Sequence, residues 1–174
     1  MSSSLMKGFV HKFGDDINTD YIISSRYKRD TTNCDILKKY IFADIREGFY
    51  DEIRPGDILA AGHNFGCGSA MEVAATVIRA AGFKLIIAKS FARSFYRNAV
   101  NNGVLLMEAD TDFLEDGDLI EVRVGEGNVL SAFVNDGEKA IDLGKLSRVN
   151  KALYDEGGLI GYVNRYDGFP LASQ

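Results

Sequence analysis

The stretch Ile58-Leu59-Ala60-Ala61-Gly62-His63-Asn64-Phe65-Gly66-Cys67-Gly68-Ser69-Ala70-Met71-Glu72-Val73-Ala74 decides how this chain folds. Its first four residues are apolar and read as a strand. Glycines at 62, 66 and 68 follow, and glycine lets a backbone adopt positive φ and come close to a bound group. Apolar residues then recur at Ala70, Val73, Ala74, Val77, Ile78 and Ala81, which is helical spacing. Ser69 is the predicted N-cap of that helix, and Gly82 its C-terminal stop. The unit is strand, tight turn, helix, with a hydroxyl at the tip. A helix start offers free N–H groups and partial positive charge. The turn is therefore either an anion site or a glycine-rich connection with a capping serine.

Working outward, Lys84–Ser90 reads as a buried-strand run of the kind found in parallel sheets. Residues 57–90 thus read as a right-handed β-turn-α-β crossover. Phe91–Asn102 reads as a helix ended by Gly103, and Val104–Glu108 as another strand. On the other side, Gly8–Phe13 alternates as a first strand, and Gly14–Asp20 is a polar turn. Tyr21–Ser24 is a short β-type run, and Lys28–Asn33 an exposed loop with Arg26, Lys28 and Arg29 close together. Those three charges are either a solvated face or a carboxylate clamp. Cys34–Ile45 has helical spacing. In the second half, Leu119–Val124 and Val129–Val134 alternate around Gly125-Glu126-Gly127-Asn128, a hairpin signal. Leu143, Leu146, Val149 and Leu153 predict a helix over Asp142–Tyr154, Leu159–Val163 a short strand or helix, and Asn164–Gln174 a polar end that frays. The class is α/β.

The 174 residues suit one domain with a real core. The formal net charge of −5 argues against a general nucleic-acid binder, which needs a basic face. No apolar run reaches membrane-span length, and Met1–Lys7 shows no leader pattern, so the cytoplasm is the expected compartment. Two cysteines, Cys34 and Cys67, fall short of an iron–sulfur ligand set. His11 and His63 show no zinc spacing with them. No metal site is expected from this chain alone.

Three motifs carry a resemblance. Asp16-Ile17-Asn18-Thr19-Asp20-Tyr21-Ile22-Ile23, Gly62-His63-Asn64-Phe65-Gly66-Cys67-Gly68-Ser69 and Lys89-Ser90-Phe91-Ala92-Arg93-Ser94-Phe95-Tyr96-Arg97-Asn98-Ala99 resemble, in the same order, the signatures of the aconitase swivel domain. The closing Gly157-Gly158-Leu159-Ile160-Gly161-Tyr162-Val163 is similar to its usual ending, and residues 1–174 match its length as the separate small subunit of 3-isopropylmalate dehydratase and homoaconitase. The resemblance implies a swivelling β/β/α three-layer domain. It implies a large-subunit partner carrying a [4Fe–4S] cluster, with none bound by this chain. It further implies dehydration and rehydration of a hydroxy-di- or tricarboxylate at a site shared by the two subunits. The default activity is 3-isopropylmalate dehydratase of leucine biosynthesis. The alternatives are a homoaconitase or methylmalate-type hydratase small subunit, or a non-catalytic carboxylate-binding or structural subunit.

By motif position Ser69 is similar to the family's catalytic serine, which as an alkoxide takes a proton from carbon. Arg26 is similar to a substrate-binding arginine, and Gly68 and Ala70 flank the serine as substrate contacts. The family loop usually continues Gly-Ser-Ser-Arg-Glu, whereas this chain reads Gly68-Ser69-Ala70-Met71-Glu72. Met71 stands where a carboxylate-binding arginine is expected, and Lys28 and Arg29 are the candidates to replace it. Cys67 reads as a small loop residue, and Arg93 and Arg97 as structural.

Overall fold

The computed structural model describes residues 3–137 and 139–167; of the polar C-terminal end expected to fray, residues 168–174 lie outside them. Seven strands form one sheet: β1 (Ser3–Lys12), β2 (Ile58–Ala61), β3 (Leu85–Ala88), β4 (Leu105–Glu108), β5 (Leu119–Val124), β6 (Val129–Val134) and β7 (Lys139–Lys145), in the order β4-β3-β2-β1-β5-β6-β7. β1 is the junction. It pairs in parallel with β2, Val10 opposite Ile58, and antiparallel with β5, Phe9 opposite Leu119. Strands β1–β4 are parallel to one another, and β5–β7 form an antiparallel meander.

Alternation along the short parallel strands sends their side chains into two cores. Leu59, Ala61, Ile86, Ala88 and Leu106 pack on one face with the helices, among them α4 (Glu72–Ala81) and α5 (Arg93–Asn101). Ile58, Ala60, Leu85, Ile87, Leu105 and Met107 pack on the other face against Ile120, Val122, Leu130, Ala132, Ile141 and Leu143 of the antiparallel strands. Helices, parallel strands and antiparallel strands thus form the β/β/α layering implied by the resemblance. Because β2 and β3 are covered on both faces, every residue of each is buried, which is why they read as continuous apolar runs.

α4 buries Ala74, Ala75, Val77 and Ile78 and ends at Gly82, whose φ of 112° closes the cap with its amide on the Ile78 and Arg79 carbonyls. At the entry to β2, buried Asp57 accepts hydrogen bonds from the Phe9 amide (3.0 Å) and the Arg54 amide (2.9 Å), and its Oδ2 shares a hydrogen bond with His11 Nε2 (2.7 Å). These contacts clamp β1 to the start of β2.

Three expected elements differ. Tyr21–Ser24 is not a strand: Tyr21 and Ile22 close α1 (Thr19–Ile22), a helical turn capped by Asn18 Oδ1, only Ile23 and Ser24 are extended, and Ile22 and Ile23 are buried together. Cys34–Ile45 breaks into the helical turn α2 (Cys34–Leu37) and a 3-10 turn over Lys38–Tyr40, after which Phe42 takes positive φ. Residues 142–145 belong to β7 rather than to a helix. Ile141 and Leu143 alternate into the second core, and α6 starts only at Arg148, capped by Ser147. The remaining helices are α3 (Phe49–Glu52) and α7 (Leu159–Tyr166).

Candidate active site

The loop leaving β2 is sewn down on both sides. On one side the polar run before α1 lies along it. The Gly62 amide donates to Gly14 O (3.1 Å), Asp16 to His63 O, Gly66 to Ile17 O and Thr19 to Cys67 O (each 2.8 Å). The His63 amide donates to Asp15 Oδ1 at 2.6 Å. On the other side the Phe65 amide donates to Ser90 O (3.0 Å) and the Ala92 amide to Phe65 O (2.9 Å). The three motifs, far apart in sequence, therefore meet at the C-terminal end of β2.

Two glycines are required here by space as well as by φ. Gly66 has φ +80°, and a Cβ on it would lie 2.2 Å from Phe95 Cγ. Gly68 has φ +87°, and a Cβ would lie 2.5 Å from Asn18 Oδ1.

Ser69 is exposed, with exposed Gly68 and Ala70 beside it. It is not the helix N-cap. α4 begins at Glu72, and the cap position is Met71, extended at φ −102°, ψ 112°. The reason is local: the Met71 amide bends back onto Ser69 O at 2.8 Å, so the chain makes a tight turn before the helix starts. Buried Thr19 donates its Oγ1 to the same carbonyl at 2.9 Å. Ser69 is thus fixed by its backbone. Among the described residues its hydroxyl forms no hydrogen bond, and the amides of Gly68, Ser69 and Ala70 reach no acceptor. Exposed amides without an acceptor just before a helix start are donors suited to an anion.

The basic groups sort unequally. Lys28 ends the 3-10 turn Ser25–Lys28, and its Nζ lies 2.7 Å from Met71 Sδ and 4.0 Å from Asp20 Oδ1. Arg26, on the same turn, is 59% exposed and is held by Asp44 and by Tyr27 Oη (2.6 Å). Arg29 is exposed. Lys89 is bound to Asp112, whose hydrogen bond holds the ammonium pKa above its ordinary value. Burial, with Asp16 nearby, pushes the Cys67 thiol up, so it stays protonated and is a poor nucleophile or ligand at neutral pH. Among the described residues no group of three or more His, Cys, Asp and Glu side chains is placed to hold a metal. This donor set does not fit an iron–sulfur cluster.

Sequence reasoning did not find Thr19 as the tether of Ser69 or Asn18 as the side chain that fits only against glycine at 68. The available signal was the run Asp15-Asp16-Ile17-Asn18-Thr19-Asp20, rich in short polar side chains that bond to backbone.

The aconitase C-terminal domain model matches residues 17–112, which span the tether, the serine loop and the Lys89–Ala99 motif. The chain belongs to the aconitase C-terminal domain family. Within that family it is 39% identical over 161 residues to the methanogen homoaconitase small subunit of Methanocaldococcus jannaschii, covering 92% of each chain. It is 41% identical to 3-isopropylmalate dehydratase small subunit 2 of Archaeoglobus fulgidus, covering 92% of this chain and 96% of that one. The crystal structure of 3-isopropylmalate dehydratase from M. jannaschii superposes with a TM-score of 0.86 over the full length of both chains, at 37% identity. These relatives carry the names of two enzymes, so family membership leaves the choice between their substrates to the site.

Proposed function

We propose that this chain is the small subunit of a hydro-lyase that isomerises a hydroxy-di- or tricarboxylate by dehydration and rehydration, with 3-isopropylmalate as the leading substrate. Its pathway is then leucine biosynthesis and its compartment the cytoplasm. Residues 1–174 act as one swivel domain beside a large subunit. That partner carries the [4Fe–4S] cluster and supplies Lewis-acid chemistry at the substrate hydroxyl.

The observation that supports this reading is Ser69: exposed, fixed through its carbonyl by Thr19 Oγ1 and the Met71 amide, and flanked by free amides. As an alkoxide Ser69 Oγ takes the proton from the substrate carbon. The C–H electron pair becomes the C=C bond while the hydroxyl leaves the neighbouring carbon as hydroxide, which the partner's Lewis acid would accept; rehydration then returns the proton to the carbon that lost the hydroxyl and hydroxide to the carbon that lost the proton, which gives the isomer. A serine hydroxyl is a weak base, so donors and positive charge around it must stabilise the ionised form. Gly68 and Ala70 line the substrate beside Ser69. Arg26, Lys28 and Arg29 read its carboxylates; on Arg26 an incoming carboxylate replaces Asp44.

The test is to reconstitute the chain with its large subunit and compare Ser69→Ala with the native protein on 2-isopropylmalate, homocitrate and methylmalate-type acids. Loss of a positioned general base lowers kcat by about 10²–10⁴-fold. Turnover unchanged in Ser69→Ala overturns the assignment and leaves a carboxylate-binding or structural subunit. Homocitrate is the second substrate to weigh, because Lys28 reaches Met71 of the serine loop and exposed Arg29 follows it in the chain, giving cations for a further carboxylate.

A further inference from the structure

Lys28 and Met71 form a contact with no evident structural purpose. The Lys28 side chain is only 20% exposed, yet its ammonium, with three donors, faces a thioether at 2.7 Å. Thioether sulfur is a weak acceptor. The nearest carboxylate oxygen, Asp20 Oδ1, is 4.0 Å away, beyond hydrogen-bond range, and already accepts from Ser25 Oγ at 2.9 Å. An ammonium whose neighbours are a weak sulfur acceptor and a carboxylate beyond hydrogen-bond range keeps donors for an arriving anion. The Met71 side chain packs on the helical core, so it forms a firm apolar shelf under the lysine head. Among the described residues no hydrogen bond or ion pair brings another cation to residues 67–72.

We propose that Lys28 is the residue that fixes a substrate carboxylate at Ser69, reaching the serine loop across Met71. The inference rests on the reading of Ser69 as base and assigns to one of three nearby cations the place beside it. Arg26, held by Asp44 and Tyr27, serves a different carboxylate.

The experiment uses the reconstituted complex with Lys28→Met, Lys28→Arg, the double variant Lys28→Met/Met71→Arg, and Ser69→Ala as the reference. Two quantities are read: kcat/KM for the substrate, and the Kd of tricarballylate, a tricarboxylate with no hydroxyl to lose. Removing one charged hydrogen bond lowers kcat/KM and weakens tricarballylate by about 10–100-fold in Lys28→Met. Lys28→Arg stays within about threefold of the native protein. The double variant, which returns a cation from the other side of the same contact, recovers at least about tenfold over Lys28→Met. Native tricarballylate affinity in Lys28→Met, or a double variant no better than Lys28→Met, overturns the proposal. If Ser69→Ala is inactive while Lys28→Met is native in both readouts, only the Lys28 assignment fails. If Ser69→Ala turns over normally, the base assignment fails, and the Kd series still decides whether Lys28 holds the carboxylate.

Discussion

Thr19→Val tests whether the position of Ser69 depends on its tether. Valine matches threonine in shape, so the buried site keeps its packing and loses only a hydroxyl. That hydroxyl donates to Ser69 O at 2.9 Å, and the same carbonyl also accepts the Met71 amide at 2.8 Å. The carbonyl is therefore not orphaned by the change. The loss is close to the net value of one hydrogen bond, about 1 kcal/mol, rather than the larger penalty of a buried unsatisfied acceptor. Urea unfolding of the isolated chain should show that decrease in stability. If the tether holds the serine in its reactive place, kcat/KM of the reconstituted complex falls with it, by about five- to tenfold. Thr19→Ser keeps the donor and drops a methyl, so it should lose a similar amount of stability and keep near-native kcat/KM. The separation of the two variants is the decisive result. If Thr19→Val is destabilised but fully active, or if Thr19→Ser loses activity to the same extent, the tether does not position Ser69.

Two further outcomes follow from the geometry. Gly66→Ala places a Cβ 2.2 Å from Phe95 Cγ at φ +80° and should destabilise the chain by about 3 kcal/mol in urea unfolding, since both the backbone and a buried ring must move; a loss under about 1 kcal/mol would contradict the packing. Asp116 feels burial, which pushes its pKa up, but the Arg46 hydrogen bond, the Lys12 amide and the charge of Arg46 outweigh it, and the net shift is below the ordinary 3.8. A carboxylate depressed on folding contributes stability that is present above 3.8 and is lost as pH falls through its lower folded value. Asp116→Asn should therefore flatten the acid limb of stability against pH in that window, by less than about 1 kcal/mol because the pair is largely screened by solvent; an unchanged acid limb counts against the pair.

Much of the site was legible in the sequence because its parts are local. The glycines at 66 and 68, the strand Ile58–Ala61 and the stop at Gly82 all answer to φ values or runs that a few neighbouring residues specify. The reading failed where a distant partner decided. Ser69 has the chemistry of a cap, but the Met71 amide is taken by the Ser69 carbonyl, which Thr19 also holds from fifty residues away. Leu143 and Leu146 share helical spacing with Val149, yet pairing of β7 with β6 makes the period at Ile141 and Leu143 a strand period. Tyr21-Ile22-Ile23 has β-type composition, but capping by Asn18 draws Tyr21 and Ile22 into a helical turn, and only Ile23 is extended. The approach of Lys28 to Met71 spans 43 positions and has no local signature.

The double seam along residues 62–67 bears on how two subunits come together. Ordering a flexible backbone costs about 1–2 kcal/mol per residue. In this chain the serine loop has already met that cost through bonds to residues 14–19 and 90–92 of its own chain. A second subunit that meets it does not have to shape it. Assembly then resembles the docking of two rigid surfaces, with association at about 10⁵–10⁷ M⁻¹s⁻¹. The lifetime of the pair is then set by how strongly the two faces hold each other, not by refolding of the loop.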